Sequence, residues 1–478
     1  MATVLPFRGL LYNASRIPDL KSVVAPPYDV ISAEKAEALR SLHPNNIVHA
    51  DLPSGDAPAK YAEARALLDG WRESGVLERD GSPAVYVTSQ RYSVRGMPEK
   101  TRWGFLALLK IEDDAAGVVL PHEKTMDAPR RDRLELSAAT RMQVSPIFVV
   151  YSDPAAAISG PIEALAHRPP DRWVSDDAGV DTRLWRLADP ETLRTVCSAL
   201  AGHKIWIADG HHRYAAAREL RDRLRAADPG AAPGHRVYDY VLAYFSNVDA
   251  PGLTILPYHR VLKGMERFDV RALTRKAETM FDVKNFSFEG FDHRAEQIRR
   301  RLRELSDRGR LAVALYAGGA EFHLCVLKPG AASQAVLAAL PEPLRGLDVS
   351  VLHQGILEAV LGISPEDQRS GRYLRYTEEV EKAIDWVDAS EANAAFLLNM
   401  PRRQQMMAVA EAGLQMPQKS TFFYPKVLTG LVLQPLDPVD EVFDRIGRSP
   451  AVAATAASLV PGPSTEPASP MEPGPSEG

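Results

Sequence analysis

The sequence predicts a mixed α/β protein, and three observations lead there. Short apolar runs of strand length recur, such as AVYVTSQRY at 84–92, RWGFLALLKIED at 102–113 and PIFVVY at 146–151. Between them lie runs with apolar residues three and four apart, as in the 58–74 segment, where Tyr61, Ala64, Leu67, Leu68 and Trp71 share one face and Gly75 ends the helix. The third observation is the strand, turn and helix of KIWIADGHHRYAAARELRDRLR at 204–225.

That third stretch concentrates the polar chemistry. Lys204 to Ala208 reads as a strand, Asp209 and Gly210 as a turn, and His211 onward as a helix. The spacing of Tyr214, Ala217, Leu220 and Leu224 puts them on one face, expected to pack against the sheet. Asp209, His211, His212 and Arg213 then sit where helix N–H groups lack partners and the helix dipole is positive, a place suited to a phosphate. Asp209 is also a good residue to cap that helix.

The remaining elements follow in order. Residues 4–12 read as a first strand, and in VVAPPYDVIS at 23–32 the prolines impose an extended approach, Asp29 lies in a turn, and Ser32 caps a helix from Ala33 to about Leu42. A turn at RGMPEK joins two strands as a hairpin. LPHEKTM at 120–126 gathers His122, Glu123, Lys124 and Thr125 after a strand, and Arg141 follows on a loop and helix that would face a site. Past Gly264 come an arginine-rich solvated helix at 293–309, a hairpin turning at Gly318 and Gly319, and an amphipathic helix at 347–363 carrying His353. In MPQKSTFFYPK at 416–426, Lys419, Ser420 and Thr421 resemble the end of a phosphate loop without its glycine spacing. The Pro, Ala and Ser-rich residues 446–478 are expected to be disordered.

Composition narrows the class. A formal net charge of −5 points to no strong footprint for nucleic acid. Two cysteines, Cys197 and Cys325, make neither a disulfide framework nor a thiolate metal site, and no apolar run reaches the ~18 residues of a membrane span. A soluble, cytoplasmic protein is expected. The sequence leaves its oligomeric state open.

The polar clusters admit three chemistries. In the first, Gly210, His212, Arg213, His122, Lys124, Thr125, Arg141, Lys419, Ser420 and Thr421 hold a nucleoside di- or triphosphate. Asp209, Glu123 or His211 then acts on a small hydroxyl-bearing substrate, and Asp209 and Glu123 hold Mg²⁺. The second is a hydrolytic metal centre from His122, Glu123, Asp209, His211 and His212, although adjacent histidines on a helix diverge by roughly a hundred degrees. The third is a module that binds a nucleotide and changes shape for a partner without turnover.

DGHHRY at 209–214, with APPYDVIS at 25–32, LPHEKTM and MPQKSTFFYPK, resembles a prokaryotic family catalogued as a domain of unknown function, DUF1015, over about residues 4–436. That family is similar to the ParB-like superfamily, which includes CTP-binding partition proteins and free-serine kinases. The resemblance implies a ParB-like N-terminal domain at 1–262 and phosphate contacts from Gly210, His211, His212 and Arg213, followed by a second α/β region at 263–445. His212 stands where an arginine is usual, and the Glu-Asn-x-x-Arg motif and DNA-binding helix-turn-helix of partition proteins are absent. The resemblance therefore leans towards small-molecule phosphoryl transfer.

Overall fold

The computed structural model describes residues 2–290 and 292–436. The expected tail at 446–478 and the end of the expected second region lie outside them.

A nine-stranded sheet forms the first body. Its strands run in the order Val119–Leu120, Ile205–Asp209, Ile147–Tyr151, Tyr240–Asn247, Lys100–Lys110, Val85–Tyr92, Asp181–Leu187 and Arg172–Ser175, with Val4–Leu5 also paired to Lys100–Lys110. The sheet is mixed. Ile205–Asp209 is parallel to Val119–Leu120 and antiparallel to Ile147–Tyr151, which is itself parallel to Tyr240–Asn247. The central strands are apolar at every step because both faces are covered: Val241, Ala243 and Phe245 enter one core while Leu242 and Tyr244 enter the other.

The helix expected after DGHHRY spans His211–Ala227. Its apolar stripe divides between two neighbours. Tyr214, with Ala217 beside it, joins the core over the sheet, whereas Leu220 and Leu224 pack with Leu134 of the helix Asp127–Thr140. The two helices run side by side, linked by Arg223 to Glu135 at 3.2 Å and by Arg130 to Glu219. Ser32 caps Ala33–Leu42 by accepting the Lys35 N–H, as its sequence implies.

The chain passes into a second, six-stranded antiparallel sheet at His259–Leu262. Its strands are ordered Phe281–Ser287, Glu321–Leu327, Ala312–Tyr316, Ala394–Leu397, His259–Leu262 and Leu374–Thr377. The amphipathic helix expected at 347–363 is α-helical only at Asp348–Val351 and continues as a π-helix over Leu352–Val360. Gly355 in that segment lies against the Phe281 ring, where an added Cβ would come within 2.9 Å, so the wider winding coincides with a close approach.

After Met416 the chain returns to the first body. Phe422–Tyr424 pairs with Thr254–Leu256, Thr429 bridges to Ala25, Leu433 to Leu10, and Gln434–Pro435 pairs with Met142–Gln143. No helix among the described residues is long and apolar enough to cross a membrane.

His259 sits buried in the second sheet beside the strand Ala394–Leu397. Its Nδ1 accepts the Leu398 N–H at 3.2 Å, so the ring proton resides on Nε2. Burial, reinforced by Arg299 and Arg260, pulls its pKa down to about 3. The unfolded imidazole titrates near 6.5, so this stabilisation is complete above that pH and is lost as pH falls towards 3. Between pH 7 and pH 5 the wild type should lose about 2 kcal/mol from this group, and His259→Asn should lack that increment. Urea unfolding at the two pH values checks this; equal pH slopes for both proteins would contradict it.

Candidate functional site

The site forms where the strand Ile205–Asp209 meets the helix His211–Ala227. Gly210 makes the junction, with φ of 87°, a conformation that side chains resist, and a Cβ there would also press on the Arg213 guanidinium at 3.1 Å. Gly210 is the N-cap, and no side chain caps the helix. The expectation that Asp209 serves as the cap is therefore corrected. Its carboxylate is engaged elsewhere: Oδ2 accepts from Arg213 Nη2 at 2.8 Å and Oδ1 from Lys426 Nζ at 2.8 Å.

These three side chains form a nearly dry ion cluster, with Arg213 and Lys426 each 10% exposed and Asp209 16%. Burial by itself would raise the Asp209 carboxyl, but Lys426 and Arg213 outweigh it and hold the pKa far below the usual carboxylate range. Arg213 is further committed, donating from Nη1 to Ser145 Oγ at 2.7 Å and to the Pro146 carbonyl. Its guanidinium faces the sheet, so it anchors the helix as much as it offers charge to a ligand.

The other two sequence clusters converge here. The His122 N–H donates to His211 Nε2 at 3.3 Å, and His122 Nε2 shares a hydrogen bond with Thr421 Oγ1 at 2.9 Å. Glu123 Oε1 accepts the Lys419 N–H at 3.0 Å, and the Met126 N–H donates to His212 Nε2 at 2.9 Å. The Lys419 ammonium lies 5.1 Å from the Tyr258 ring centroid, and the Lys426 ammonium 4.3 Å from that of Phe422. Lys124 is exposed and Thr125 half-buried in the segment between Glu123 and Met126.

Other expected residues are placed differently. His211 is turned inward, 7% exposed, with Nε2 taken by the His122 N–H. Ser420 is buried and its hydroxyl turns back to the Pro417 carbonyl. Arg141 ends the helix Asp127–Thr140 in a left-handed conformation, φ 51°, at the opposite end from the Met126 contact with His212, about 20 Å along the axis. Its backbone bonds are to the Ser137 carbonyl and the Leu436 N–H.

Protonation distinguishes the carboxylates and imidazoles. Burial raises the Glu123 carboxyl, a shift only partly offset by the Lys419 N–H and ammonium. Burial pulls His122 down to about 4 and His211 well below its usual range, and it also lowers His212. All three rings are therefore neutral at pH 7, and each has Nε2 engaged. Among the described residues no group of three or more His, Cys, Asp or Glu side chains gathers as a metal centre needs, so the hydrolytic arrangement of His122, Glu123, Asp209, His211 and His212 is not assembled.

Lys426 lies within the MPQKSTFFYPK motif but is not among the site residues expected from the sequence. A solitary lysine within the apolar run FFYPKVLTGLVL was the available signal, since a lysine is buried only when paired. Asp29 and Tyr258 were also missed as site members. Asp29 acts electrostatically on His212, and Asp29, Glu123 and Asp209 all act on Tyr258.

Comparisons with known proteins can now be set beside this geometry. A family model described as Protein of unknown function (DUF1015) matches residues 4–350. No curated protein matches. Among solved structures, a free serine kinase in complex with AMP is similar at 14% identity, with 67% of this chain and 88% of that one covered and a TM-score of 0.33. A conserved hypothetical protein from Pyrococcus furiosus is similar at 14% identity, covering 67% and 92%, with a TM-score of 0.32. SbnI with C-terminal truncation from Staphylococcus aureus is similar at 12% identity, covering 68% and 86%, with a TM-score of 0.33.

Asp209→Asn should destabilise the fold by about 3 kcal/mol, because it leaves the buried Arg213 and Lys426 charges without their anion, and Lys426→Met by less, because Asp209 keeps Arg213. The double variant should cost less than the sum of the two by roughly 1–3 kcal/mol. Urea unfolding of the four proteins measures the cycle, and strict additivity would show that the pair is not coupled.

Proposed function

The chain belongs to the family described as Protein of unknown function (DUF1015), and from that premise we propose that it binds a nucleoside di- or triphosphate and transfers a phosphoryl group to a small hydroxyl-bearing metabolite. One observation carries this reading: the helix start has no side-chain cap, Lys426 pairs with Asp209 beside it, and the charges of Lys419 and Lys426 both act on the Glu123 carboxyl. The N–H groups of the first turn have no intrahelical acceptor and meet the positive end of the dipole, so an anion there gains hydrogen bonds and field together. Lys124 and Lys419 add point charges. The finer ParB-like reading gives the same phosphate-contacting role to Gly210, His211, His212 and Arg213.

Roles divide by basicity. Asp209, held ionised by Lys426 and Arg213, is a weak proton acceptor and serves to position those cations. Glu123, whose carboxyl is raised, is the better base. The acceptor hydroxyl oxygen attacks the terminal phosphorus, its proton passes to the Glu123 carboxylate, and the phosphorus–oxygen bond to the leaving phosphate breaks. Asp209 and Glu123 are the carboxylates expected for Mg²⁺; with both Asp209 oxygens paired to Arg213 and Lys426, Glu123 would hold it together with phosphate oxygens, since Mg²⁺ needs only one or two carboxylates. When bound there, it would neutralise phosphate charge.

A nucleotide at ~100 times its dissociation constant should stabilise the wild type by about 2.7 kcal/mol in a thermal-shift assay. Glu123→Gln should keep that shift while losing on the order of 10²-fold or more in turnover. Wild-type turnover in Glu123→Gln would remove it from the mechanism, and the absence of a shift with ATP, ADP, CTP or GTP, with or without Mg²⁺, would end the proposal.

A further inference from the structure

A cavity of about 560 Å³ lies between the two sheets, beside the ribbon formed by Thr254–Leu256 and Phe422–Tyr424. Its walls include Leu302, Pro257, Met400 and Tyr424. We propose that this cavity holds the base of the nucleotide whose phosphates lie at the DGHHRY helix, a neutral, flat heteroaromatic ring presenting a hydrogen-bond acceptor. The inference rests on the phosphate-binding reading above and adds the part of the ligand that reading leaves unspecified.

A run of aromatic rings places the cavity close to the phosphate site. Tyr424 lines the cavity and stacks on Phe422, with centroids 6.3 Å apart and planes at 24°. The Lys426 ammonium rests 4.3 Å from the Phe422 centroid, and Tyr258 meets the same ring edge-on at 5.3 Å. One aromatic ring therefore separates the cavity wall from a cation of the Asp209 cluster. Along the adjoining segment, Pro257 and His259 line the cavity and Tyr258 between them reaches the site. Glu378, also in the cavity wall, acts electrostatically on both Tyr258 and Tyr424.

The lining fits a neutral ring. Arg95, Arg299 and Arg303 face it together with Glu378, Glu379 and Glu381, so the formal charges cancel. Arg299 and Arg95 both pair with Glu381, at 2.5 and 3.6 Å. A ligand of net charge would find as much repulsion as attraction, whereas a nucleobase, uncharged at pH 7, incurs neither. The volume falls in the range of small-molecule sites, and Tyr424, Met400 and Leu302 offer the apolar contact a flat ring requires.

Specificity comes from His259. This side chain is 2% exposed and lines the cavity. Its Nδ1 is occupied by the Leu398 N–H, which leaves Nε2–H as a donor, and among the described residues Nε2 has no hydrogen-bond partner. That donor borders the cavity, where a ring nitrogen or exocyclic carbonyl of a base would accept from it.

The test separates the base from the phosphates. Titration calorimetry on the full chain compares ATP, CTP and inorganic tripolyphosphate, each with Mg²⁺, on wild type, Leu302→Trp and Ala178→Trp. The first variant fills the cavity from its floor, and the second fills it from an exposed position at its rim, where folding is not at stake. The expected result is that wild type binds at least one nucleotide about tenfold or more tighter than tripolyphosphate, and that both variants lose this advantage while tripolyphosphate affinity stays unchanged. Nucleotide affinity unchanged in Ala178→Trp, or no nucleotide preferred over tripolyphosphate by wild type, overturns the base site and leaves the phosphate reading standing. Failure of every probe to bind wild type overturns both.

Discussion

A single buried carboxylate organises the site. Asp209 ends the strand on which the helix His211–Ala227 begins, and Arg213 and Lys426 compete for its two oxygens at 2.8 Å each. Through Arg213 it is linked to Ser145 and Pro146 on the neighbouring strand connection, and through Lys426 to a segment 217 residues away in the chain. Two cations around one anion leave net positive charge in a nearly dry place beside an uncapped helix start, which is costly without an anion and favourable with one.

Arg260 plays a related part without a carboxylate. It is fully buried, and burial pulls its pKa down to about 10. Its charge is instead dispersed over carbonyls: Nη1 donates to Tyr258 and Lys419, Nη2 to Gln418, and Nε to His353 on the π-helical segment. One side chain thus ties the first strand of the second sheet to the loop that presents Lys419 to Glu123. The carbonyl partners at Gln418 and Lys419 hold that loop in place, including the left-handed Lys419 with φ of 56°. The second sheet therefore helps to shape the site that the first sheet carries.

Much of this was legible in the sequence wherever the signal was local. Ser32 announced its helix, the spacing of Tyr61, Ala64, Leu68 and Trp71 matched the buried face of Ala59–Glu73, and DGHHRY marked the strand-to-helix junction. Three separated motifs do meet in space. What the sequence concealed depends on distant partners. Asp209 reads as a cap because caps are local, but the lysine that claims one of its oxygens arrives from far along the chain. The π-helical winding at Leu352–Val360 coincides with the close approach of Gly355 to Phe281, a contact invisible to helical periodicity. Arg141, a few residues from Ser145, looks like a site residue by proximity in sequence, yet a left-handed turn at the helix end keeps it at the far end from the His212 contact.

The return of the chain after Met416 has a consequence for how the protein is made. The strand bearing Asp209 leaves the ribosome long before Lys426 does, and the whole second sheet is synthesised in between. At roughly 5–20 residues per second, the nascent first sheet waits on the order of 10–40 s for the lysine that shares its buried carboxylate with Arg213. During that interval the edge beside Met142–Gln143 also lacks Gln434–Pro435. The first body is thus begun first, yet the segment carrying Lys426 reaches it only after the whole second sheet has been synthesised.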